Sequence, residues 1–225
     1  MISDKKDCVS TPSYNDKGFT LAETLITLVI VGVVAALTVP TLMNKTNNQE
    51  YVSRLNKAYS VLQQSIHKIA MDKGYPQGDY TFVTDTNTFL DDLSKTLNVI
   101  KSCRDDNSCI THSYTLMNNT ENSLTGSENA FVTADGISYT YAQGYRPDIW
   151  GISEEDNSKF LGRFWVDVNG KSKPQKAGKD LFAFVVINGK GILPAGYGNN
   201  SSDCNKNNMG LTCAAKVLKE NAINY

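Results

Sequence analysis

The sequence predicts an α+β protein in which one long N-terminal helix, apolar in its first half and amphipathic in its second, packs on a small antiparallel β-sheet. Three observations carry this. Leu25–Leu42 is apolar nearly all round, and Leu55, Tyr59, Leu62, Ile66 and Ile69 then recur at alternating spacings of four and three, which places them on one helical face. Beyond Cys109 the apolar period falls to two, broken by the turn dipeptides Asp135-Gly136, Asn169-Gly170 and Asn188-Gly189. After a polar leader (1–18), apolar residues are dense up to Thr46 and polar ones dense beyond it, so the chain divides into that leader, an apolar helix (19–46) and a polar body (47–225).

The long helix is expected from Phe19 to about Lys73, where Gly74 and Pro76 stop it. Gly32, Ala35 and Ala36 give its apolar half a surface that another helix can approach closely. Pro40 lacks the N–H for one helical bond and clashes with the carbonyl four residues back, so a kink or local unwinding is expected there. In the second half, Asn56, Lys57, Gln63, Gln64 and Lys68 occupy the faces away from the stripe. Leu93, Leu97 and Ile100 predict a second short helix over Phe89–Ile100. Phe131–Ala134 and Ile137–Tyr141 form a hairpin, Phe164–Val168 a further strand, and Leu181–Ile187 with Lys190–Leu193 a second hairpin. One face of such a sheet can bury the helix stripe. The Asn-, Ser- and Gly-rich segment Gly196–Cys213 reads as an exposed loop.

With 22 basic and 23 acidic residues the net charge is −1, and nothing points to nucleic acid. A secretory signal peptide has an apolar core of about 7–15 residues and a small-residue cleavage site after it. Here the core is longer, and Pro40-Thr41-Leu42-Met43 offers no such site, so a membrane anchor is the better reading. Lysines and arginines lie on both sides of the span and do not orient it. Cysteines do: apart from Cys8, they form two close pairs in the body, Cys103 with Cys109 and Cys204 with Cys213. Four cysteines permit three connectivities, of which the local one is expected. Neither spacing suits a zinc site, the alternative, and disulfides place the body outside the cytoplasm.

A plain anchor gives no reason for Glu23. A carboxylate within a membrane helix costs about 2.5–3.5 kcal/mol at the helix centre on insertion scales, and usually marks a function. Lys17-Gly18-Phe19-Thr20-Leu21-Ala22-Glu23, running straight into a membrane helix, resembles the N-terminus of the type IV pilin superfamily: pilins, type II secretion pseudopilins and competence pseudopilins. The resemblance implies that a prepilin peptidase cuts between Gly18 and Phe19 on the cytoplasmic side and that the new terminus at Phe19 is N-methylated. It implies that Glu23 meets the terminal amine of a neighbouring subunit and sets the stagger between subunits, the other reading being a carboxyl that snorkels or stays protonated. It implies a pilin-like head, a proline such as Pro40 acting as a filament hinge, other pilin or pseudopilin subunits and an inner-membrane assembly platform as partners, and an inner-membrane protein with its head outside the cytoplasm that assembles into a periplasmic or surface filament. The competing reading is a single-pass adhesin or substrate-binding protein that never polymerises.

A looser resemblance covers Val166–Gly170, Lys173-Pro174-Gln175 and Gly178–Phe182, which look like the Asp-x-Asn-Gly … Pro-Asn … Gly-x-Asp-x-Phe pattern of many proteins with this N-terminus; Gln175 stands where asparagine is usual. Asp167, Asn169 and Asp180 could offer oxygens to calcium, the one candidate cofactor, although Asx turns explain the same residues. Enzyme chemistry has little support: His67 and His112 stand in no catalytic pattern, and there is no nucleophile elbow or phosphate loop.

Overall fold

The computed structural model describes residues 18–104, 108–124, 129–144, 146–198 and 203–225; the expected leader, Gly18 apart, lies outside them. The described residues fall into two units, divided between Asn44 and Lys45. Helix α1 is Leu21–Asp72. It ends in a Schellman arrangement: Gly74 takes φ 72°, Gly74 N–H donates to Met71 O (3.0 Å) and Tyr75 N–H to Ala70 O (2.9 Å).

In the second unit the predicted stripe is the buried one. Leu55 and Leu62 are fully buried, Ile66 and Ile69 nearly so, and the Tyr59 ring stacks on Phe184 at 5.3 Å. Asn56, Lys57, Gln63, Gln64 and Lys68 are exposed. Helix α2 is Thr86–Thr96, capped by Asp85, whose carboxylate accepts from Thr88 N–H at 3.3 Å. Strands follow as β1 (Val99–Arg104), β2 (Ser113–Thr115), β3 (Glu121–Ser123), β4 (Asn129–Thr133), β5 (Ser138–Gln143), β6 (Phe160–Asp167), β7 (Leu181–Ile187) and β8 (Gly191–Pro194), and helix α3 (Cys213–Glu220) closes the chain. Six strands form an antiparallel sheet in the order β1-β4-β5-β6-β7-β8, while β2 and β3 pair separately. This is the α+β, pilin-like architecture that the sequence predicts.

The Asp135-Gly136 turn between β4 and β5 docks on α1. Arg54 donates to Asp135 O (2.8 Å) and to Val168 O, and Lys57 pairs with the Asp135 carboxylate at 2.8 Å. Alternate residues of the central strands then enter different cores. Phe164, Val166, Phe182, Phe184 and Val186 join the α1 stripe and α2, with Phe89 edge-on to Tyr141 (5.0 Å) and Phe164 (6.0 Å). Trp165, Leu181, Ala183, Val185 and Ile187 face a second core on the opposite side of the sheet, where Trp150 lies edge-on to Trp165 at 5.5 Å.

Two expectations are corrected. The second helix stops at Thr96 instead of reaching Ile100, because β-branched Val99 and Ile100 enter β1, which pairs with β4; Ile100 is 66% exposed and not on a buried helix face. The sheet buries one face against the helix stripe, as expected, and the other against the second core. The segment ending at Cys213 is only partly an exposed loop: Cys204, Leu211, Thr212 and Cys213 are buried, and Cys213 opens α3.

Candidate functional site

The N-terminal edge of α1 is built around Thr20 and Glu23. Thr20 N–H and the Thr20 hydroxyl both donate to Glu23 Oε2 at 2.8 Å, Glu23 N–H donates back to Thr20 Oγ1 at 3.2 Å, and Thr24 N–H donates to Thr20 O at 3.2 Å. This reciprocal capping box satisfies donors that a helix start otherwise leaves orphaned. Phe19 stands just outside it, 85% exposed.

Two glycines here are not demanded by the fold. A Cβ at Gly18 or Gly32 would meet nothing within 4 Å, and neither residue has a positive φ. Around them Leu25, Leu28, Val29, Val31 and Leu37 are all more than half exposed. The 18-residue window here has a mean hydropathy of 2.5, long and apolar enough to cross a membrane. Pro40 lies within α1, which is helical on both sides of it.

Comparison with protein families matches residues 13–39 to the family described as the prokaryotic N-terminal methylation motif. Residues 13–39 carry a prepilin-type signal. The motif is the hallmark of type IV pilin and pseudopilin precursors, and it implies processing by a prepilin peptidase and assembly with other pilin subunits. Comparison with curated proteins and with solved structures finds no match.

Both local disulfides are present. Cys103–Cys109 ties the end of β1 to the following loop with Cα atoms 5.7 Å apart, and Cys204–Cys213 ties the last loop to the start of α3 at 5.0 Å.

The remaining predicted residues converge where β6 ends. Asp167 Oδ1 accepts from Asn169 N–H at 3.2 Å, an Asx turn, and Asp167 Oδ2 accepts from Gln175 Nε2 at 2.8 Å. Asp180 closes the other side, taking Gln175 N–H at 2.8 Å and Lys176 N–H at 2.6 Å. Gln175 Nε2 also donates to Gly170 O (2.6 Å) and Ser172 O (2.7 Å), so one amide nitrogen gathers three oxygens. Asn169 Nδ2 reaches Tyr51 Oη on α1 and Lys173 O, both at 3.2 Å. Burial, reinforced by the neighbouring Asp180 charge, pushes the Asp167 carboxyl up to about 8, and burial raises Asp180 as well. Among the described residues no group of three or more His, Cys, Asp and Glu side chains is arranged to hold a metal.

Sequence reasoning missed one polar centre. Asp156, fully buried, accepts from Ser153 Oγ (2.5 Å), Tyr197 Oη (2.6 Å) and Lys190 Nζ (2.7 Å). Burial alone would raise this carboxyl, but bonds from Lys190, Ser153 and Tyr197 outweigh it and hold it down to about 2. Its partners lie up to 41 residues away, and no local pattern announces them. The arrangement tethers the segment before β6 to the β7–β8 turn and to the residues that follow β8.

Proposed function

We propose that the chain is a structural subunit of a type IV pilus or a type II secretion pseudopilus, cut between Gly18 and Phe19 and methylated at Phe19. The observation that carries this is the methylation motif placed over the first part of α1, where the large apolar side chains from Leu25 to Leu42 are exposed. Residues 19–46 hold the precursor in the membrane and then pack against the same helix of neighbouring subunits. The two disulfides support a head outside the cytoplasm. Glu23 registers subunits: cleavage creates an amine at Phe19, and two charges in an apolar filament core are each costly unless they meet. The capping box supports this role, because Glu23 is already held at the end of the helix where a neighbour's amine would arrive.

Co-expression of the full chain with a prepilin peptidase, followed by intact mass and N-terminal sequencing, tests the reading. A product that starts at methylated Phe19 is expected. A chain left uncut while a known prepilin is cut in the same cells would instead indicate a permanently anchored adhesin or substrate-binding protein.

A further inference from the structure

A cavity of about 460 Å³ in the second unit has three lysines and no acidic side chain among the described residues of its wall. Lys176, Lys179 and Lys206 line it, together with Asn48 of α1 and the apolar surfaces of Ile223 and Tyr225. Lys176 Nζ donates to Asn119 Oδ1 at 2.7 Å, and none of the three lysines forms an ion pair among the described residues. Lys216 adds a fourth cation 5.6 Å over the Tyr225 ring; Glu220 is the acid whose charge reaches that ring. Like charges around one hollow are stabilised by an anion placed among them. The apolar part of the wall fits a ligand that carries hydrocarbon beside its charge.

Chain connectivity indicates which anion. Asn48 follows Leu42, the last residue of the apolar stretch, by six positions, so the chain keeps the two within about 22 Å whatever its conformation. Basic clusters next to a membrane span attract the phosphates of anionic lipids. We infer that this cavity binds the headgroup of an anionic phospholipid, with the lysines on the phosphate and Ile223 and Tyr225 against the glycerol and upper acyl carbons. The inference rests on the membrane storage of residues 19–46. It gives the precursor a second, charge-dependent hold on the bilayer that filament entry must release.

The test uses the full chain in neutral maltoside micelles, read by native mass spectrometry after addition of phosphatidylglycerol, phosphatidylcholine or inorganic phosphate at equal concentration. One phosphatidylglycerol adduct per chain is expected, favoured over phosphatidylcholine by about tenfold or more. It should vanish in the Lys176→Gln/Lys179→Gln/Lys206→Gln variant and persist in Lys68→Gln/Lys95→Gln/Lys219→Gln, which has the same net charge. Equal adducts of the two lipids in the unmodified chain, or an adduct that survives in the first variant, would overturn the inference. Inorganic phosphate filling the site as well as the lipid would make it a free-anion site and overturn the lipid assignment. Alkaline extraction of cell membranes checks the storage reading separately: unmodified chain released by carbonate would sink that reading, whatever the adducts show.

Discussion

Replacing Gln175 by alanine isolates the polar knot at the end of β6. The side chain gives up its bonds to Asp167 Oδ2, Gly170 O and Ser172 O. Ser172 is exposed and its carbonyl can turn to water, whereas Asp167 and Gly170 are buried. Two buried acceptors each losing a neutral bond cost about 2 kcal/mol together, and a bond to a charged carboxylate raises its share to about 1.5–3 kcal/mol. Which figure applies depends on pH. Asp167 has its folded-state pKa raised from 3.8 to about 8, so its contribution to stability is fully present below pH 3.8 and is lost as pH rises through 8. The unmodified head should therefore lose stability between pH 5 and 9, with Asp180 titrating in the same direction and Arg54 opposing it. Gln175→Ala removes a donor that favours the charged form, so its deficit should widen from about 2 kcal/mol at pH 5 to about 3–4 kcal/mol at pH 9. For a domain of this size that is a fall in Tm of roughly 4–8 °C at pH 5 and 6–15 °C at pH 9, measured by circular dichroism on the full chain in micelles. A fall below about 2 °C at both pH values, or a deficit that shrinks as pH rises, would refute the reasoning.

Three further outcomes are expected. Glu23→Ala should leave peptidase cleavage intact and strongly reduce the subunit recovered in sheared filaments, measured by immunoblot; undiminished recovery would remove Glu23 from subunit registration. Cys204→Ser/Cys213→Ser should lower head stability by about 2–3 kcal/mol, the loop-entropy value for a short bridge, in urea titration, without releasing the chain from membranes. Exchanging EGTA for millimolar calcium should move the Tm of the head by less than about 1 °C, whereas a rise of several degrees would assign a calcium ion to Asp167, Asn169 and Asp180.

Legibility in the sequence followed the range of the interactions. The α1 stripe, both hairpins and the turn at Asp135-Gly136 were visible because periodicity and turn chemistry are local. So was the methylation motif, a contiguous run. The second core was hidden, although Leu181–Ile187 hinted at it: seven consecutive buried residues suit a strand covered on both faces, and an alternating pattern would have suited only one. What covers the far face, Trp150 and Tyr114 among others, comes from segments with no period of their own. Strand β1 hid behind the tail of a helix pattern, since Leu93 and Leu97 fit a helix as well as the residues beyond them fit a strand. At the N-terminus the motif signalled Glu23, but its bonds to Thr20 had to be seen in the structure. The spacing Thr20-Leu21-Ala22-Glu23 is itself a capping-box pattern and could have been read as one.

Among the described residues the sheet ends on two edge strands, β1 and β8, and both are poor templates. Strand β1 carries a register irregularity between Val99 and Lys101 and shows Lys101 and Arg104 along its length; β8 spans only Gly191–Pro194 and ends on a residue that cannot donate to a ladder. A polymer crowds hundreds of identical heads together, a condition under which matching edges would zip one sheet onto the next. In the proposed filament, blunted edges would disfavour pairing of heads as strands and leave the helical stem as the element that orders the assembly.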